Sequence, residues 1–105
     1  MTPKEFAEGF YLEKQQLMNV YFNSAEPTAV SELIKSLDLD PERKQVLKKI
    51  VDGVLTDAFY TILLGLDGEA QIGNRQETYS IQDEGGNELA GGEIEVHAWE
   101  YFQNK

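Results

Sequence analysis

Cysteine is absent from this chain of 105 residues, histidine and tryptophan occur once each, and no long hydrophobic run is present. Without cysteine there are no disulfides and no thiolate metal ligands, which fits a reducing cytoplasm, where we expect the protein to reside. The longest apolar stretch, residues 58–66, is far shorter than the roughly 20 residues of a membrane-spanning helix. The first residues lack a basic region followed by an apolar run, so we expect no secretory signal.

Basic residues are scarce in the last third of the chain. Residues 1–64 carry ten acids and seven bases, whereas residues 65–105 carry nine acids and only two bases, Arg75 and Lys105. The net charge of −10 is therefore concentrated in residues 65–105, which we call the acidic segment. This segment would repel phosphate backbones and anionic lipids, so we expect neither nucleic-acid nor membrane binding. It would attract a basic partner protein, although surplus acid also serves solubility alone.

The first third of the chain predicts two helices. Thr2 and Glu5 have the spacing of a capping box, and apolar residues then recur at helical spacing, which predicts a helix over residues 3–22. Its opposite face, which includes Lys14, is expected to be solvated. A short second helix is predicted to begin at Pro27 or Thr28.

A third and longer helix is predicted over residues 41–64. Asp40 is a suitable cap, Pro41 suits the first helical position, and Gly65 is the expected stop. The apolar residues between 47 and 63 cover a wide arc, so we expect this helix to be central and buried.

The remainder of the chain predicts a small sheet. Residues 76–82 alternate as a strand does, residues 83–87 form a hairpin-type turn, and short strands are expected at 88–90 and 70–72. Residues 92–103 fit either a strand or a helix, and we favour a helix. The sequence therefore predicts one α+β domain over residues 1–105: an N-terminal three-helix unit with a long central helix, then a small antiparallel β-hairpin or sheet, then a C-terminal helix.

No catalytic motif is evident: the chain has no Gly-x-Ser-x-Gly elbow and no phosphate-binding loop with its lysine. The first functional hypothesis is therefore a non-enzymatic protein that binds a basic partner through the acidic segment. The candidate contact residues are eight acids and two aromatic anchors, namely Glu69, Glu77, Asp83, Glu84, Glu88, Glu93, Glu95 and Glu100, with Trp99 and Tyr101. For Trp99 the alternative, which we favour, is that it packs against the third helix, because tryptophan is highly buried on average.

A second hypothesis is a small-ligand protein or enzyme with a polar cleft near Asp57, Tyr60, Arg75 and His97. Asp57 lies in an apolar part of the third helix with no base at helical spacing, although backbone donors from another segment would satisfy it equally well. Asp52, by contrast, has Lys48 and Lys49 within helical reach.

His97 lies at helical spacing from Glu93 and Glu100, but no further histidine or cysteine completes a transition-metal set. We therefore expect no metal and no cofactor. A third hypothesis is a structural or regulatory subunit that dimerises through spare apolar surface.

The stretch from Asp52 to Gly68, together with residues 84–89, resembles small uncharacterised bacterial proteins. Some proteins of this size and acidity are similar to immunity proteins, which neutralise a partner toxin. This resemblance implies a bacterial cytoplasmic setting and a basic protein as the partner.

Overall fold

The computed structural model describes residues 1–104, and this part of the chain contains four α-helices. They are α1 (Pro3–Phe22), α2 (Ala29–Ser36), α3 (Pro41–Leu66) and α4 (Glu93–Phe102). α1 packs against the other three helices, and α3 also packs against α4. No helix within residues 1–104 is both long and apolar enough to cross a membrane.

Capping interactions place the starts of α1 and α3 where the sequence predicts them, whereas α2 begins at Ala29, with Thr28 as its cap, rather than at Pro27 or Thr28. The hydroxyl of Thr2 accepts a hydrogen bond from the Glu5 N–H at 3.1 Å, and the Glu5 carboxylate accepts one from the Thr2 N–H at 3.0 Å. The Asp40 carboxylate accepts a hydrogen bond from the Arg43 N–H at 2.8 Å, and Pro41 takes the first position of α3. α1 has the predicted bounds, and the predicted C-terminal helix is confirmed as α4.

Gly65 does not end α3, which continues to Leu66. A Cβ atom at Gly65 would overlap the side chain of Ile72, so Ile72 lies directly against the helix backbone. The role of Gly65 is therefore to permit this close approach.

The predicted hairpin is wrong, and with it the α+β fold class. Between residues 67 and 92 the backbone forms only two isolated bridges, Ile72 with Arg75 and Gln82 with Glu88. The strands expected at residues 70–72, 76–82 and 88–90 do not form a sheet. Within residues 1–104 the fold is helical, and residues 67–92 form a long connection from α3 to α4.

Side-chain hydrogen bonds explain why the alternating pattern does not become a strand. The Glu88 carboxylate accepts hydrogen bonds from the Ile81 N–H at 2.9 Å and from the Ser80 hydroxyl at 2.8 Å. The Asp83 carboxylate accepts hydrogen bonds from the N–H groups of Gly85 and Asn87, both at 2.9 Å. These carboxylates take donors that a β-ladder would use, and a two-stranded hairpin alone is only marginally stable.

The buried core lies where the first half of α1, the second half of α3 and α4 meet. α1 and α3 are antiparallel, as the neighbouring pairs Phe10 with Phe59 and Phe22 with Lys48 show. The buried apolar residues are Ala7, Leu63, Leu89, Ile94, Ala98 and Phe102. Aromatic rings meet edge-on around them, with Phe59 6.4 Å from Phe102 between ring centroids, a favourable geometry for aromatic pairs.

The expectation of a central, buried α3 is wrong for its first half. Val46, Ile50 and Val54, in the first half and at the middle of the helix, are 54%, 55% and 60% exposed. In the second half Ile62 is also exposed, although Leu63 beside it is fully buried. The reason is that α4 and Leu89 contribute to the core only beside the second half of α3, while the first half has α1 on one side. The other elements therefore cover only part of the apolar surface of α3, and the rest faces solvent.

Lys14 is also placed differently from the expectation of a solvated face. It is buried, with 6% of its surface exposed. Its ammonium donates to the Thr56 hydroxyl at 3.1 Å and forms an ion pair with Asp52 at 2.8 Å. The partner of Asp52 is therefore Lys14 of α1 rather than a lysine of its own helix.

Candidate interaction surface

α4 carries the single tryptophan of the chain, and a residue outside the helix holds the N-terminus of α4 in place. At its N-terminus the buried carboxylate of Asp67 accepts hydrogen bonds from the N–H groups of Gly91, Gly92 and Glu95, each at 2.9 Å. Gly92, the N-cap residue, has no side chain to do this. A carboxylate at this position also interacts favourably with the helix dipole. Asp67, at the end of α3, therefore caps α4 across the long connection.

The inward side of α4 carries Ile94, Ala98 and Phe102, one helical turn apart and all buried. On the outward side Val96 and Trp99 are exposed, Trp99 by 49% of its surface. Glu93 and Glu100 are exposed one helical turn before Val96 and one after it. We call these four residues the α4 face: two adjacent apolar side chains between two carboxylates.

Within residues 1–104, lysine and arginine side chains do not neutralise the acids near this face. Within residues 1–104 the acidic segment forms two ion pairs, neither of which involves lysine or arginine. Asp83 pairs with the ammonium group of Met1 at 2.8 Å, and His97 lies 3.4 Å from Glu100. The α4 face therefore keeps a negative potential from its surroundings.

Two of the predicted contact acids are engaged inside the molecule. The hydrogen bond from the Met1 ammonium, with further bonds from Asn87, lowers the pKa of Asp83 far below its usual range. The same contact with Asp83 raises the pKa of the Met1 ammonium group. Hydrogen bonds from the Ile81 N–H and the Ser80 hydroxyl lower the pKa of Glu88. Asp83 and Glu88 thus organise the long connection.

Tyr101 also has an internal role. Its hydroxyl donates to the Glu8 carboxylate at 2.8 Å, and this hydrogen bond, together with burial, raises the pKa of Tyr101. The Tyr101 ring lies 5.6 Å from that of Tyr11. Of the two predicted aromatic anchors, Trp99 is the more exposed, and Tyr101 joins α4 to α1.

The other predicted contact acids lie on the surface or partly buried. Glu69, Glu77 and Glu84 are exposed in the long connection, and Glu95 is half-buried in the first turn of α4. Asp67, Glu69 and Glu95 bring one carboxylate oxygen each within 4.8 Å of one another. Calcium prefers six to eight oxygen ligands, and both Asp67 oxygens already accept N–H groups. This cluster is therefore accounted for by helix capping.

The four residues of the predicted cleft are spread over different parts of the fold. Asp57 is exposed and lines a groove between α3 and residues 71–73 that contains none of the other three. Tyr60 packs against the core, Arg75 bridges to Ile72, and His97 contacts Glu100 on α4.

Sequence reasoning missed Val96 and Asp67. Val96 lies on the exposed side of α4 because Ile94, Ala98 and Phe102 form the buried side. In the sequence, Val96, Trp99 and Phe102 are also spaced three residues apart, and this second pattern conceals which side of the helix is buried. For Asp67 the available signal is a pair of glycines before a helix with no capping side chain of its own, which requires an acceptor from elsewhere.

Comparisons of the chain with protein-family models, with curated proteins and with solved structures give no match.

Proposed function

We propose that this chain is a non-enzymatic binding protein that docks a basic surface of a partner protein on its α4 face. The observation that carries the proposal is Trp99, which is half exposed on a helix whose neighbouring glutamates have no lysine or arginine partner within residues 1–104. The resemblance to immunity proteins adds a cytoplasmic bacterial setting, with a basic toxin domain as the kind of partner.

The α4 face combines the two properties that such docking needs. Trp99 and Val96 offer an apolar patch, and burial of a tryptophan side chain is among the largest single contributions to protein interfaces. Glu93 and Glu100 beside them attract basic side chains and accelerate encounter. An arginine of the partner could stack on the indole while pairing with a carboxylate, because guanidinium groups favour both contacts.

α4 is well suited to present this patch because it is held rigidly. The Asp67 cap, the three buried residues of its inward side and the Tyr101–Glu8 hydrogen bond fix it against α1 and α3. A side chain that is already ordered loses less entropy on binding than a mobile one.

The first experiment is co-purification from the native host at low salt, with the product of the neighbouring gene co-expressed. We expect recovery of a basic protein by the unmodified chain, loss of that protein with Trp99→Ala, and retention with Leu12→Ala. Leu12 is an exposed apolar residue of α1 and serves as the matched control. Equal recovery by all three proteins, or no basic protein at all, would contradict the proposal.

A second measurement uses the fact that the chain has one tryptophan. Binding of the purified partner should shift the Trp99 fluorescence to shorter wavelength, because the indole leaves water. The shift should weaken with added salt, since charge attraction is screened. An unchanged spectrum at saturating partner would place the interface elsewhere.

A further inference from the structure

The first half of α3 exposes a row of apolar side chains. Val46, Ile50 and Val54 follow one another at intervals of four residues and are each more than half exposed. We call these three residues the α3 stripe. Single exposed apolar residues are ordinary, but a row along two turns of one helix is typical of a surface that is covered by another molecule.

The whole molecule has surplus surface of the right size for one such contact. Its accessible surface is 7137 Å², whereas a compact monomer of 11.9 kDa is expected to expose about 6,000 Å². The radius of gyration is 16.2 Å, against about 13 Å for a compact chain of this length. The surplus exceeds the roughly 800 Å² that each partner contributes to an interface of standard size.

α3 is also the part of the molecule where a second copy meets least charge repulsion. The chain as a whole carries −10, but residues 41–66 contain four bases and three acids. The bases lie in the first half of the helix, at Arg43, Lys44, Lys48 and Lys49. Two acidic segments, each with nine acids and two bases and hence a net charge of −7, would repel each other strongly. Two copies of α3, each with four bases and three acids and hence a net charge of +1, would repel each other far less.

We infer that the α3 stripe binds the α3 stripe of a second copy of this chain, with the two helices antiparallel and a two-fold axis near Ile50. Arg43 and Asp57 are exposed, and each is seven residues from Ile50, which is two helical turns or about 10.5 Å along the axis. Residues seven apart share a helix face.

Two-fold symmetry gives this arrangement its charge complementarity. Arg43 of one copy lies beside the partner's Asp57, and the reverse contact repeats it. Val46 lies beside the partner's Val54 because both are four residues from Ile50. Within residues 1–104 neither Arg43 nor Asp57 has an ion-pair partner in its own chain. A parallel arrangement would bring like charges together.

This dimer uses residues separate from the α4 face and stands independently of the proposed function. Sedimentation equilibrium tests it over about 10 µM to about 1 mM of chain, because association depends on concentration. We expect the mass to rise from 11.9 kDa to twice that value. A mass of 11.9 kDa at every concentration would overturn the inference, whatever else covers the stripe.

Two matched substitutions locate the interface. Val54→Asp should raise the dissociation constant of the dimer at least about 100-fold, because each interface then buries two carboxylates against apolar side chains. Val96→Asp, at a similarly exposed valine on α4, should leave the dimer unchanged and impair only partner binding. A dimer that tolerates Val54→Asp would show that the contact lies elsewhere.

A charge exchange tests the orientation. Arg43→Asp and Asp57→Arg should each weaken the dimer, because each puts like charges next to one another across the axis. The double variant should regain most of the lost affinity, since it restores both opposite-charge pairs. Additive weakening in the double variant would overturn the antiparallel arrangement.

Discussion

At the scale of single residues, Lys14 joins α1, α3 and α4 through one ammonium group. It contacts Asp52 and Thr56 of α3, and it lies 5.3 Å from the ring centroid of Tyr11 and 5.8 Å from that of Phe102. The cation is buried, whereas the Asp52 side chain is 43% exposed. The two partners therefore depend on this ion pair unequally, because only Lys14 lacks access to water when the pair is broken.

This asymmetry gives a prediction. Asp52→Ala should lower the free energy of unfolding by about 2 kcal/mol, because it leaves a buried ammonium with the Thr56 hydroxyl as its one side-chain hydrogen-bond acceptor. Lys14→Met should cost less than about 1 kcal/mol, since it keeps the apolar contacts and leaves Asp52 able to hydrate. Urea unfolding measures both, with Glu13→Gln at an exposed neighbour as control. The reverse order of costs would contradict this interpretation of the pair.

The ion pair between Met1 and Asp83 should stabilise the fold only within a limited range of pH. Because the pKa of Asp83 is lowered on folding, its stabilisation is present above about pH 4 and is lost progressively as the pH falls. Because the pKa of the Met1 ammonium is raised, its stabilisation is present below about pH 8 and is lost as the pH rises further.

Asp83→Asn should therefore lower the melting temperature most between about pH 5 and about pH 7. The difference from the unmodified chain should shrink on either side of that range and with added salt, since the Met1 side of the ion pair is 49% exposed to solvent. Thermal unfolding across the pH range tests this, and a difference independent of pH would show that Asp83 acts only through its turn.

At the scale of elements, α4 depends on a residue outside itself. Asp67→Ala would leave the N–H groups of Gly91, Gly92 and Glu95 without their acceptor. We expect a loss of about 2–3 kcal/mol in stability, because hydrogen bonds to a buried carboxylate are charge-assisted. Amide exchange in residues 93–102 should accelerate more than in α1. Glu69→Ala, at the exposed neighbouring acid, should change neither quantity.

The sequence predicts the starts of α1 and α3 well because each is encoded within a few residues. Thr2 with Glu5 and Asp40 with Pro41 are local signals, and the structure forms them with the expected hydrogen bonds. The connection from α3 to α4 is different. Residues 76–82 alternate as a strand does, but the Glu88 carboxylate accepts hydrogen bonds from the Ser80 hydroxyl and the Ile81 N–H. A pattern of apolar and polar residues does not show that a side chain will compete with the strand for these donors.

The candidate surface was predictable in part. The charge of the acidic segment follows from composition. The sequence favours a Trp99 that packs against the third helix, because tryptophan is usually buried, and the 49% exposure of Trp99 contradicts that expectation. The internal engagement of Tyr101 depends on Glu8, far away in sequence. The burial of Lys14 likewise depends on α3 and α4 lying against α1, so no pattern within α1 alone could indicate it.

At the scale of the whole molecule, stability should be uneven along the long axis of 46 Å. The buried core joins one end of α1 and α3 to α4, whereas α2 at the other end buries Ser31 alone and exposes Val30 and Leu33. Segments with few buried apolar contacts open locally at low free energy. The end that carries the α4 face should therefore be the more stable one, and α2 should open locally at a lower free energy than α4.

Two leucine substitutions test this gradient. Leu63→Ala should cost about 3 kcal/mol, since Leu63 is fully buried and the truncation leaves a cavity. Leu33→Ala should cost less than about 0.5 kcal/mol, because Leu33 is 68% exposed.

Amide exchange should be fast in α2 and slow in α4 and the second half of α3 at every concentration. Protection around Ile50 should instead rise with concentration, because only the α3 stripe is covered by a second copy. Uniform protection along α3 at low concentration would mean that its first half is stabilised within the single chain, and its exposed side chains would then need no partner.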